Sequence, residues 1–152
     1  MKKGLLLSVV LLLVVVITGC GKAGTKTMTC TMKGTILEGT TMKNEYKVTY
    51  TGKYVDMVES IETVTSDSQK VLDTYKTTIE SMYSPYKDVK YYDYDITIEG
   101  DTLTSVAKIN YAKIDTDAMI KVNSANKSLL KDGKLALKDL KDVYEQMGAE
   151  CK

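Results

Sequence analysis

The sequence predicts a single α+β domain: a mostly antiparallel sheet of about five strands, in the order β-β-β-α-β-β-α-α, with the helices packed on one face. Three observations carry this. The stretch 28–64 alternates polar and apolar residues with the period of a half-buried strand. The stretches 71–83 and 135–147 repeat apolar residues at helical spacing. The two segments flanking Gly100-Asp101 match each other, residue for residue, as a hairpin.

Met28, Cys30 and Met32 share one face of the first strand, against Thr29, Thr31 and Lys33. The stretch 34–41 holds two glycines and reads as a loop or bulge. In the second strand Met42, Asn44, Tyr46, Val48 and Tyr50 point inward, and Thr51-Gly52-Lys53 turns the chain. The third strand runs from Tyr54 to about Val64. Its less regular pattern places a bulge near Glu59.

Ser66 and Gln69 have capping-box spacing at the head of a helix. Val71, Leu72, Tyr75, Ile79, Met82 and Tyr83 form its apolar face, and Pro85 ends it. A two-residue turn at Gly100-Asp101 then pairs Ile98 with Leu103, Ile96 with Ser105, Tyr94 with Ala107 and Tyr92 with Ile109 on one face. The other face pairs Thr97 with Thr104, Asp95 with Val106, Asp93 with Lys108 and Tyr91 with Asn110. A one-residue slip would scramble both faces. Asp115 to Asp117 can cap a short helix through Val122, and 123–133 is polar and reads as a loop. A last helix from about Leu135 to Met147 carries Leu137, Leu140, Val143 and Tyr144, with Gly148 as its C′ residue. Residues 149–152 then form a short edge strand carrying Cys151.

The N-terminus reads as an address. Met1-Lys2-Lys3 is a positive start, and 4–17 is an apolar run broken only by Ser8. Ile17-Thr18-Gly19-Cys20 resembles the lipobox of bacterial lipoproteins. The resemblance implies cleavage before Cys20, a diacylglycerol on its thiol and a location on the extracytoplasmic face of the cell membrane. The organisation expected is therefore a signal peptide over 1–19, a lipidated Cys and tether over 20–27, and one domain over 28–152. The alternative, an uncleaved span, fits less well because the run is short for about 20 spanning residues and lacks an aromatic belt.

With Cys20 committed to lipid, Cys30 and Cys151 remain as an even pair in an exported chain, and a disulfide between them is expected. The alternative is two separate free thiols.

Composition narrows the chemistry. The chain has no His, and its 21 basic residues are all Lys. Imidazole mechanisms and bidentate guanidinium clamps are excluded. The formal charge of +1 becomes −1 once Lys2 and Lys3 leave with the signal, which argues against a nucleic-acid partner. No cofactor or metal is expected. Met28, Met32, Met42 and Met57 could offer thioethers to Cu(I), but without His beside them core packing is the better account.

The stretch Met82-Tyr83-Ser84-Pro85-Tyr86-Lys87-Asp88-Val89, the Tyr-rich strand, Lys113-Ile114-Asp115 and the closing Gln146-Met147-Gly148 resemble bacterial lipoproteins of the YehR type, over nearly the whole mature chain. The Cys pair near the two ends is similar to low-GC Gram-positive members. The resemblance implies the fold and the envelope location, and supplies no catalytic residue.

The candidate binding face is Tyr91, Asp93 and Asp95, set on one outer face of the predicted hairpin, where tyrosine and acids could grip a sugar or a cationic ligand. The plainer account is a solvated sheet face with Asp93 paired to Lys108. The leading expectation is a non-catalytic, lipid-anchored module that binds an envelope protein or small ligand. The rival is a small envelope hydrolase using two carboxylates about 5–9 Å apart.

Overall fold

The computed structural model describes residues 24–152. The expected signal peptide over 1–19, the lipobox-like residues 17–20 and the first part of the expected tether lie outside the described residues. Six strands form one sheet in the order β4-β5-β3-β2-β1-β8, and every neighbouring pair is antiparallel. They are β1 (Thr25–Leu37), β2 (Thr40–Thr51), β3 (Tyr54–Ser66), β4 (Tyr92–Glu99), β5 (Thr102–Ile109) and β8 (Glu150–Cys151). A second, two-stranded sheet pairs β6 (Leu130–Lys131) with β7 (Lys134–Leu135). The helices are α1 (Gln69–Tyr83), α2 (Thr116–Val122), α3 (Asn126–Leu129) and α4 (Leu137–Gln146), with a 3₁₀ turn at Ser84–Tyr86. The α+β class is as the sequence indicates. Among the described residues no helix is long and apolar enough to cross a membrane.

Strand alternation produces one inner face. The row Cys30, Tyr46, Ser60, Ala107 and Tyr94 crosses five strands in register, and Met28, Val48, Val58, Ile109 and Tyr92 form the next. Helix α4 covers the first half of this face. Its Leu140 and Tyr144 pack with Met28, Val48 and Val58, and Tyr144 stacks on Tyr46 with centroids 4.1 Å apart. Helix α1 covers the second half, where Leu72 and Ile79 meet Val64 and Leu103. Among the described residues no helix covers the opposite face. One row across it reads Thr29, Lys47, Glu59, Lys108, Asp93, with Lys108 Nζ 3.1 Å from Glu59 Oε1.

The β4–β5 hairpin has the register expected from Tyr92↔Ile109 to Glu99↔Thr102. Gly100 supplies the left-handed φ of +61° that its turn needs. Pro85 follows the end of α1, and Asp115 caps α2 by accepting from Ala118 N at 3.0 Å. Gly148, at φ +91°, closes α4 in a Schellman motif: Gly148 N donates to Glu145 O and Ala149 N to Tyr144 O. The reversal delivers β8 to the edge of β1, where Cys30 and Cys151 face each other and are joined.

Several elements differ from expectation, each for a local reason. Strand β1 begins at Thr25, inside the expected tether, because Thr25 to Thr27 already pair with Thr51 to Thr49. It continues to Leu37, so the loop shrinks to Glu38-Gly39 with a register shift between Thr35 and Leu37. The bulge in β3 sits at Asp56, between Val55↔Tyr50 and Met57↔Thr49, and the ladder runs unbroken past Glu59. The irregular pattern there comes from Ser60 and Glu62, polar residues that share the inner face with Val58 and Val64. Ser66 does not cap α1. It ends β3, is buried, and bonds Thr40 Oγ1 at 2.8 Å, while Ser68 takes the N-cap position. The 123–133 loop holds α3 and the β6–β7 hairpin, turned at Asp132-Gly133 with φ of +52° and +70°. Leu135 belongs to that hairpin, so α4 starts at Leu137.

Candidate functional site

The bulge at Asp56 positions the site. The extra residue frees its carbonyl to accept from Ala112 N at 3.1 Å, and its carboxylate accepts from Thr51 Oγ1 at 2.6 Å. This fixes the 110–114 segment after β5, which carries Tyr111. Opposite Tyr111 the 3₁₀ turn, tightened by Pro85, brings Tyr86 against Tyr92 at the start of β4. The two rings stack at 4.7 Å with planes 10° apart, an arrangement worth about 0.5–1.5 kcal/mol beyond burial. Helices α2 and α3 close the third side. There Asn126 Nδ2 donates to Tyr86 Oη at 3.2 Å and to Met119 O at 3.0 Å.

Between these three sides lies a cleft of about 430 Å³. Tyr83, Tyr86, Tyr92 and Tyr111 supply its aromatic wall, and Asn123 and Asn126 supply amides at one end. Met82 and Pro85 form an exposed apolar lip. No charged side chain lines it. Tyr92 and Tyr111 are also held in their neutral form. Burial, then the neighbouring Tyr83, Tyr86, Tyr111 and Tyr94 hydroxyls, push Tyr92 well above the ordinary tyrosine range. Burial, then Tyr86, pushes Tyr111 up to about 12. At any physiological pH the cleft therefore offers ring faces, hydroxyl groups and amides, with no formal charge.

A second polar feature lies under the helices. Glu62 sits in register between Asn44 and Ser105, both buried, on the inner face. With its amide turned to suit its neighbours, Asn44 donates to Glu62 Oε2 at 3.3 Å. Burial raises the Glu62 carboxyl above its ordinary value of 4.5. Glu62 is not part of the cleft wall. Its raised folded-state pKa means that the folded chain holds the proton more tightly than the unfolded chain. The resulting penalty is absent below the unfolded pKa, grows as pH rises, and is complete above the folded pKa. Glu62→Gln is therefore expected to melt a few degrees higher than the wild type at pH 7. Calorimetry from pH 4 to 8 should show the two curves converging at the acid end. A variant that melts lower throughout would mean that the carboxylate stabilises the fold.

The three candidate residues read from the sequence are partly separated. Tyr91 lies outside β4 with φ +70°, which breaks the strand alternation. Its half-exposed ring lies 5.1 Å from Lys90 Nζ and 5.8 Å from Lys113 Nζ. Asp93 and Asp95 stay together on the open face beside Val106 and Lys108. Asp93 faces Lys108 in register, but the Lys108 ammonium is bonded to Glu59 instead. Met28 is buried and Met32 and Met42 pack against the core, as packing methionines should, while Met57 is exposed. Among the described residues no group of three or more acids and cysteines is placed to hold a metal.

The sheet and its two helical covers define a class of fold that two solved structures share. No family model matches the chain, and no curated protein matches its sequence. The NMR structure of Escherichia coli YehR has a TM-score of 0.56 at 16% identity, covering 84% of this chain and 92% of that one. The NMR structure of a protein from Streptococcus pneumoniae TIGR4 has a TM-score of 0.54 at 14% identity, covering 100% of this chain and 97% of that one. At these identities the likeness shows the fold: it is YehR-like.

Proposed function

We propose that this chain is a lipid-anchored, extracytoplasmic, non-catalytic binding module of the YehR type that holds a neutral saccharide in the tyrosine-lined cleft. The observation that supports the ligand class is the uncharged wall of ring faces beside two amides. A pyranose offers flat C–H surface to aromatic rings and hydroxyls to Asn and Tyr, and carries no charge that would need a partner. The anchor reading rests on Lys2-Lys3, the apolar run and the lipobox-like Ile17-Thr18-Gly19-Cys20. With β1 beginning at Thr25, the four residues 21–24 separate Cys20 from the sheet and span at most about 15 Å, so the domain works close to the bilayer.

Two measurements test the two halves. Intact mass of the protein from native membranes is expected to equal residues 20–152 plus acyl chains. An unprocessed mass near 16.9 kDa would remove the anchor. For the cleft, a panel of neutral envelope oligosaccharides is titrated against the full chain by NMR. Shifts are expected at Tyr86, Tyr111 and Asn126, and Tyr86→Ala should weaken binding about tenfold or more, equivalent to about 1.4 kcal/mol. Shifts confined to the open sheet face would move the site to Asp93 and Asp95.

A further inference from the structure

The two edges of the main sheet are treated differently. The β1 edge is covered by β8, with Thr29 and Lys152 exchanging backbone hydrogen bonds of 2.9 Å and the disulfide fixing Cys151 in place. The β4 edge is uncovered among the described residues. An open edge is a row of unpaired N–H and C=O groups, which natural proteins blunt with proline, bulges or inward-pointing charge. Strand β4 has no proline, and its register is unbroken over its full length.

Which groups it presents follows from one bond. Tyr92 N donates to Val89 O at 3.1 Å, so it points away from β5. Outward and inward pairs alternate along an antiparallel strand, so Tyr94, Ile96 and Ile98 turn their N–H and C=O the same way. Beside them lies a recess of about 490 Å³ between the strand and the end of α1, formed by Glu80, Ser81 and Ser84 on the helix and Tyr94, Asp95 and Ile96 on the strand. A second recess of about 310 Å³ on the open face is lined by Asp93, Tyr94, Asp95, Val106 and Lys108.

The charge along this edge has one sign. Strand β4 carries Asp93, Asp95 and Glu99 and no basic residue. Of the nearby cations, Lys108 is bonded to Glu59, and Lys76 lies 3.7 Å from Glu80. Two copies of β4 laid edge to edge would set acid against acid, so the edge rejects a second copy of this chain.

We propose that β4 is a docking edge for an extended, lysine- or arginine-bearing segment of a partner protein, which adds to the sheet as a further strand. Its backbone pairs with Tyr94, Ile96 and Ile98. Its alternate side chains divide: basic ones reach over the open face to Asp93 and Asp95, and small or apolar ones enter the recess beside α1. Main-chain bonds give the affinity and the acids give the selectivity. The proposal does not depend on the tyrosine-lined cleft or on its ligand.

The test uses the full chain and a labelled peptide of four Lys-Val repeats. Fluorescence anisotropy should show binding that is at least tenfold tighter than for the Glu-Val counterpart. Hydrogen exchange should slow at the amides of Tyr94, Ile96 and Ile98. N-methylation of alternate peptide amides removes the pairing and should weaken binding at least tenfold. The double variant Asp93→Lys/Asp95→Lys, whose side chains are exposed, should lose at least tenfold in affinity with an unchanged melting temperature. Binding without protection of those three amides would overturn strand addition and leave bare charge attraction. Equal binding of the Glu-Val peptide, or no binding at all, would overturn the proposal outright.

Discussion

The double substitution Cys30→Ala/Cys151→Ala is expected to lower the melting temperature by about 10–20 °C. The two residues are 121 apart in sequence, and the chain-entropy estimate for closing such a loop is about 5 kcal/mol, while removing a native disulfide typically costs about 2–5 kcal/mol. Strand β8 has little else to hold it. Its ladder is two residues long, and the Thr29–Lys152 pair adds only two hydrogen bonds. A strand of that length has no independent stability. Removing both sulfurs avoids leaving a thiol at position 30, which is completely buried. Calorimetry gives the stability change. Hydrogen exchange gives its location, with protection lost first at Glu150 to Lys152 and at Thr29. A fall of only a degree or two, with β8 still protected, would mean that the Schellman turn and the packing of Ala149 hold the C-terminus without the covalent bond.

The second large effect is expected at Leu72. Its side chain is fully buried, and it is the first anchor of α1 on the sheet, with Ile79 two turns later and Val64 and Leu103 beneath. Leu72→Ala removes three carbons from a site walled by β3 and β5, where a rigid sheet cannot collapse into the void. The expected loss is about 2–5 kcal/mol, read from the denaturant midpoint with an unchanged slope. Met82→Ala is the matched control on the same helix. Met82 is 54% exposed and should cost well under 1 kcal/mol. If the two variants were alike, α1 would not be seated on the sheet as described.

The contrast between those two residues also shows what a linear pattern can reveal. Helical spacing placed Leu72, Ile79 and Met82 on one stripe, yet Met82 falls at its margin: Tyr83 beside it packs on Tyr92 and Tyr94, and Met82 becomes the exposed lip of the cleft. The β4–β5 register was legible because every cross-strand pair constrains every other. The register of β3 was obscured by Glu62, a carboxylate on the buried face that mimics a break in alternation. Asp132-Gly133 carried a two-residue hairpin signal, but strands of two residues show no period to support it. The cleft was the least visible feature. Tyr86 and Asn126 are 40 residues apart and meet where the 3₁₀ turn faces α2 and α3, a juxtaposition that no local pattern encodes. Tyr91 drew attention as part of a Tyr-Asp alternation, and its left-handed backbone removed it from that series.

The bond at the β1 edge also sets how the domain answers a mechanical pull. The described chain enters at Gly24 and leaves at Lys152, and Cys30 and Cys151 lie just inside those two points. Tension applied between the ends runs along a few residues of β1, crosses the sulfur bridge and exits, bypassing the ring from Cys30 to Cys151 that contains both helical covers and the cleft. Among the described residues, only Gly24 to Thr29 and Lys152 lie outside the bridged ring, a length of roughly 25 Å at full extension. Under reducing conditions the same force would reach the sheet, and the whole ring would become extensible.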